Sequence, residues 1–153
     1  DALFATVVIS FAQGLDLIAS ASEAHGWGVR LDRVAKLWRA GCIIRIDFLD
    51  QISKAMQGHG AQHLLLDPWF SERVHASMPG LRRAVAAGAQ SGVGCPVMSS
   101  ALSYYDTIHA SRLPHNLLQA QRDAFGAHSY RRTDRDGDFH TEWLGDGTTT
   151  KLS

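Results

Sequence analysis

Apolar residues recur near the start of the chain at intervals of three and four. Phe4, Val7, Val8, Phe11, Leu15 and Ile18 fall on one helical face. Ile9 and Leu17 widen that face, so the predicted helix, Ala2 to His25, is expected to be central rather than peripheral. Gly26 stands where a left-handed cap would end it. Asp32 offers an N-cap oxygen for a short helix through Trp38, ended by Gly41. Ile44, Phe48, Ile52 and Met56 recur every fourth residue and predict a third helix, with Asp47, Asp50 and Lys54 largely on its other side. Residues 57–60 read as a loop.

Further along, Asp67-Pro68 is an N-cap followed by proline at the first helical position, where a missing N–H costs nothing. That helix is expected to stop before Pro79-Gly80, and residues 81–90 to form another, punctuated by Gly92 and Gly94. Pro96 opens a helix with Val97, Ala101, Leu102, Tyr105 and Ile108 inward. Pro114 opens the last, running to Gly126. The pattern then changes. Asp136-Gly137 is a hairpin turn signal between residues 129–132 and 139–143. Residues 145–151 offer little to bury and are expected to be a tail. The fold class is therefore all-α, about seven helices with a small β-hairpin and a C-terminal tail.

Length and composition narrow the reading. The chain has 153 residues, the size of one domain, with 45% hydrophobic and 20% charged residues and a formal net charge of zero. That balance gives no electrostatic reason to expect nucleic acid or an anionic membrane as a partner. Thr6, Ser10, Gln13, Asp16 and Glu23 interrupt the greasy first helix, and no membrane span is expected. The two cysteines, Cys42 and Cys95, have no metal-type spacing and read as buried free thiols in a reducing cytosol. No signal-peptide pattern opens the chain. Asp1 stands where an initiator methionine is expected and a helical pattern begins at once, which reads as a piece of a longer polypeptide.

Candidate chemistry is sparse. Asp134, Asp136, Asp138 and Glu142 suggest a calcium loop, but Gly137 precedes the third aspartate and Glu142 comes too early, so a solvated hairpin turn is expected. His59 and His63 lie four apart, a zinc-compatible spacing, yet Gly58 and Gly60 make that stretch a poor helix, and no metal site is assigned. There is no G-x-S-x-G elbow and no G-x-G-x-x-G turn after a strand. Arg82-Arg83 and Arg131-Arg132 read as surface charge. Arg122 lies in the last turn of the final helix, with His128 just beyond it. The arginine is adequately explained as complementing the helix dipole. The alternative is an anion site, with the guanidinium fork taking two oxygens and His128 a third.

At this segment a resemblance emerges. Leu113-Pro-His-Asn-Leu-Leu-Gln-Ala-Gln-Arg-Asp-Ala-Phe-Gly-Ala-His-Ser-Tyr130, followed by Phe139-His-Thr-Glu-Trp143, closely resembles the late signature of 6-phosphogluconate dehydrogenases. Ile9-Ser-Phe-Ala-Gln-Gly14, Leu37-Trp-Arg-Ala-Gly-Cys-Ile-Ile-Arg45 and Ala101-Leu-Ser-Tyr-Tyr-Asp106 resemble the family in the same order. Ala40 departs from it, where glycine is frequent. The resemblance implies the C-terminal domain of a decarboxylating enzyme that oxidises the 3-hydroxyl of 6-phosphogluconate with NADP and releases ribulose 5-phosphate. It further implies a cytoplasmic homodimer of the pentose phosphate pathway. NADP would be bound mainly by an N-terminal Rossmann domain absent from this chain. The general-base lysine and general-acid glutamate would likewise lie upstream, leaving no catalytic or cofactor-binding residue here and the isolated chain inactive. By the same resemblance, Arg122 and His128 bind the substrate phosphate across the dimer. Residues 1–128 would be the substrate-binding and dimerisation domain, and 129–153 a hairpin and tail packing on the partner subunit. The alternative function is an inactive helical dimerisation module. A third possibility, another β-hydroxyacid dehydrogenase relative, is disfavoured by the F-G-A-H segment.

Overall fold

A computed structural model describes residues 1–39, 42–44, 46–57 and 63–152. Among them are six α-helices, a 3₁₀ turn and three short strands: α1 (Ala2–His25), α2 (Leu31–Leu37), α3 (Leu49–Ala55), the turn Leu64–Leu66, α4 (Pro68–Gln90), α5 (Pro96–His109), α6 (His115–Gly126), β1 (Tyr130–Arg131), β2 (Asp138–Thr141) and β3 (Thr149–Leu152). The chain divides into two compact units, Asp1–Ile108 and His109–Ser153.

The first unit is built around α1. Ala5, Val8, Ile9, Ala12 and Leu15 are buried, and the helix packs along α4, which contributes Phe70, Val74, Met78 and Leu81. In length and mean hydropathy, 1.8 over an 18-residue window, α1 is sufficient for a membrane span despite its polar interruptions. Its buried face makes it the core helix of this unit. Gly26 ends it in the left-handed conformation, φ 65°, as the sequence predicts. The α4 cap is also as expected: Asp67 Oδ1 accepts hydrogen bonds from the Trp69 and Phe70 amides at 3.0 and 3.3 Å, with Pro68 in the first turn.

Other boundaries differ from the expectation. The two helices expected either side of Pro79-Gly80 are one continuous helix. Proline removes one hydrogen bond, but packing on both sides, through Val74, Met78 and Leu81, holds the axis together. Gly80 has a separate use. A Cβ there would lie 3.0 Å from Asp1 Cβ, so its absence admits the start of α1. Asp32 is not an N-cap. It lies in the first turn of α2, and its carboxylate receives the Arg30 guanidinium at 3.0 and 3.2 Å. Helix α3 is shorter than its four-residue repeat suggests, because Ile44 is exposed outside it and Phe48 is its N-cap. Phe48 instead joins an aromatic cluster with Phe4, Phe11 and Phe70. On α5, Ala101 is buried, but Val97 and Ile108 face outward.

Cys42 and Cys95 are free thiols, half-buried rather than buried. At the corner between α4 and α5, Cys95 Sγ and the Val93 carbonyl would lie 2.7 and 3.0 Å from a Cβ on Gly88, so that glycine admits the turn. His63 is a structural group: Nδ1 accepts the Leu65 amide at 3.2 Å, and Nε2 meets the Tyr104 hydroxyl at 2.7 Å. His59, four residues before it in the sequence, and the helix end expected at Gly41 lie outside the described residues.

In the second unit, α6 is followed by an antiparallel sheet in the order β1-β2-β3. Tyr130 pairs with Phe139 across the turn containing Gly137, φ 121°. The segment expected as a tail supplies β3, with Thr149 opposite Thr141. Its residues are all exposed, so backbone pairing rather than burial orders it. A turn helps: the Thr148 amide donates to Asp146 Oδ1 at 2.9 Å, and Gly147 takes φ 75°. The acidic turn residues meet arginines, Asp134 with Arg132 and Asp138 with Arg131.

Phe70, fully buried within the aromatic cluster, is the test of the first core. Phe70→Ala is expected to lower stability by about 3–5 kcal/mol in urea unfolding followed by circular dichroism. A loss below about 1 kcal/mol would contradict this packing.

Candidate functional site

Helix α6 places Gln119, Arg122 and Asp123 at three- and four-residue spacing, so the three project from neighbouring positions. Asp123 is fully buried. Its Oδ1 accepts the Ser129 amide and His140 Nδ1, each at 2.9 Å. Its Oδ2 accepts the Thr141 amide at 3.0 Å and Trp143 Nε1 at 2.7 Å. Burial pushes this carboxyl's pKa upward. The bonds from His140, Thr141, Trp143 and Ser129 outweigh burial and hold it at about 2.

Those bonds draw the chain after α6 back onto the helix. Ala127 and Ser129 both adopt left-handed backbone, φ 50° and 58°, without being glycine. His128 lies between them, and its imidazole folds over Gly126, where a Cβ would come within 2.9 Å of Nε2. Gln119 secures the other side of the turn. Its amide donates to the Ser129 carbonyl at 2.5 Å, and its Oε1 accepts from Arg122 Nη1 at 3.2 Å.

The two residues singled out from the sequence, Arg122 and His128, are thus both exposed at one end of α6. They are linked through Gln119 and Ser129 rather than bonded to each other. Arg131, Arg132 and Arg135 all have aspartate partners. Arg122 has no carboxylate partner among the described residues, and its guanidinium keeps donors free. Leu118, Arg122 and Phe125 share one helical face, with Leu118 56% and Phe125 92% exposed. A cleft of about 650 Å³ in this unit is lined by residues that include Gln119, Tyr130, Arg131 and Trp143; Arg122 and His128 are not among them.

Sequence reasoning missed Asp123 and its four donors, although the Gln-Arg-Asp triplet was in view. The available signal was an aspartate near a helix C-terminus, where a negative charge is disfavoured unless donors come from elsewhere.

His140 bridges two carboxylates, with Nε2 3.3 Å from Glu142 Oε1. The hydrogen bond it donates to the Asp123 carboxylate raises its pKa above the ordinary 6.5, against some desolvation. Its charged form therefore stabilises the fold fully below about pH 6.5, and that contribution is lost as pH rises through the raised value. For Asp123 the sign reverses: its contribution is present above the ordinary carboxyl range and is lost as pH falls toward 2. Accordingly, the thermal midpoint is expected to fall as pH rises above about 6.5, and His140→Gln to flatten that slope. An unchanged slope in the variant would count against the pair.

Comparison with known proteins places these features in a family. The family model described as 6-phosphogluconate dehydrogenase, C-terminal domain, matches residues 1–143. The chain is 46% identical over 144 residues to 6-phosphogluconate dehydrogenase, decarboxylating 2, of Arabidopsis thaliana, covering 94% of this chain and 30% of that protein. It is 47% identical over 144 residues to the Staphylococcus aureus enzyme, covering 94% of this chain and 31% of that protein. The solved Plasmodium falciparum 6-phosphogluconate dehydrogenase, studied in its apo form, with its cofactor NADP+ and with its substrate 6-phosphogluconate, superposes with a TM-score of 0.87 at 42% identity. That match covers 93% of this chain and 31% of the Plasmodium chain. The chain thus spans about a third of the length of the relatives it matches. The family model covers nearly the whole chain, and the chain belongs to the 6-phosphogluconate dehydrogenase C-terminal domain family.

Proposed function

We propose that this chain is the substrate-phosphate-binding and dimerisation part of a decarboxylating 6-phosphogluconate dehydrogenase acting in the pentose phosphate pathway. The reaction is oxidation of 6-phosphogluconate at its 3-hydroxyl with NADP, then loss of carbon dioxide to give ribulose 5-phosphate. The relatives' names and the ligands of the Plasmodium enzyme support the substrate and cofactor. The chain's residues do not fit a dinucleotide site of their own, since no G-x-G-x-x-G turn follows a strand. Hydride transfer and proton transfer are therefore assigned to residues outside this chain. The enzyme is proposed to work in the cytoplasm.

The observation that carries the proposal is the setting of Arg122. Its guanidinium has no carboxylate partner among the described residues and lies between exposed Leu118 and Phe125 on α6. An apolar surface around an uncommitted fork suits a face covered on association, where a phosphate supplies the missing anion. Arg122 donates N–H bonds to phosphate oxygens, and His128 adds a donor from the end of the helix. The site is completed by the partner subunit of a homodimer, so each copy serves the other's substrate.

The test is 6-phosphogluconate binding, measured by calorimetry on the dehydrogenase with this chain as its C-terminal domain. Arg122→Ala is expected to weaken binding by about 2–5 kcal/mol, as when one partner of a buried charge pair is removed. His128→Ala is expected to weaken it less. Unchanged affinity in both variants would favour the inactive dimerisation module.

A further inference from the structure

Arg122 and His128 are exposed, Arg122 donating to Gln119 and His128 lying over Gly126. His128 is especially demanding, because its backbone neighbours on both sides take left-handed conformations that non-glycine residues adopt only at a cost. Such a turn persists where surrounding structure over-determines it. Here the restraint is visible. The Ser129 amide is bound by Asp123 Oδ1 at 2.9 Å, the Ser129 carbonyl by Gln119 at 2.5 Å, and the Ala127 amide by the Asp123 carbonyl at 2.8 Å. Asp123 is in turn fixed by β2 and the residue segment after it, through Thr141, His140 and Trp143. One buried side chain therefore ties the strands to the turn that presents His128, and it adjoins Arg122 in sequence.

We infer that Asp123 is a positioning residue for the substrate-phosphate site: its carboxylate holds the 127–129 turn so that His128 is presented beside Arg122. The inference rests on the reading of Arg122 and His128 as phosphate ligands. Asp123 does not itself meet the substrate, since all four of its bonds are spent within the fold. An asparagine in its place keeps the shape but turns an amide, a donor, toward two of the four donors, so the turn loosens without a cavity being opened.

A purely structural role and a positioning role predict different kinetics. Loss of folded protein lowers the number of active sites and hence kcat, leaving KM alone. A misplaced phosphate ligand raises KM for 6-phosphogluconate and spares KM for NADP. The experiment is steady-state kinetics on the intact dimeric dehydrogenase carrying this chain, with Asp123→Asn beside Arg122→Ala and His128→Ala. Asp123→Asn is expected to raise KM for 6-phosphogluconate about tenfold or more, with KM for NADP within about twofold of wild type. Trp143→Phe, which removes one of the four donors and keeps an aromatic ring, serves if Asp123→Asn does not fold. Its expected effect is about a two- to fivefold rise in the same KM. A fall in kcat with KM unchanged, or an unchanged KM in Trp143→Phe when it alone folds, overturns the positioning role while leaving the phosphate site standing. Unchanged KM in both Arg122→Ala and His128→Ala overturns the phosphate site and the inference together.

Discussion

The second unit depends on a single buried anion. Among its described residues, Phe139 is the one hydrophobic side chain that is buried, too little for an apolar core to organise a helix and three short strands. The Asp123 carboxylate does that work through four donors, two of them backbone amides and two of them rings. A desolvated carboxylate is costly alone and stable only when its lone pairs are met with good geometry. Each donor that meets it also fixes a piece of chain: the turn after α6, the end of β2 and the indole beyond it. Polar satisfaction here sets shape where hydrophobic burial normally would.

The first unit shows the opposite economy. Ala5, Val8, Ile9, Ala12 and Leu15 on α1 face Phe70, Val74, Met78 and Leu81 on α4, and the contact tolerates a proline within α4. Apolar packing is non-directional, so one missing hydrogen bond is absorbed by the rest of the interface. The carboxylate hub is directional and has no such slack. Directional bonding suits the task proposed for Arg122 and His128, since a phosphate ligand needs a fixed direction.

The exposed face of α6 joins the two requirements. Leu118 and Phe125 supply apolar surface on either side of Arg122, and the same helix carries Asp123 inward one residue later. Successive residues on a helix point about 100° apart, so an Arg-Asp pair directs one charge outward and the next into the fold. Gln119 links the two directions, accepting from Arg122 and donating to Ser129.

Much of this was legible in the residues alone. The periodic face of α1 and its Gly26 cap, the Asp67-Pro68 start of α4 and the Asp136-Gly137 hairpin all rest on local chemistry, where a few neighbouring residues decide the backbone. The motif around Arg122 and His128 was equally plain as a pattern. What the sequence by itself determined was therefore the helical class, the family and the position of the candidate ligands along the chain. Tertiary structure alone decided that α4 passes through Pro79, that residues 149–152 become a strand, and that Asp123 is buried. The physical reason is distance along the chain. The donors to Asp123 come from 6, 17, 18 and 20 residues away, and the support for Pro79 comes from α1, so neither can be read from a local window.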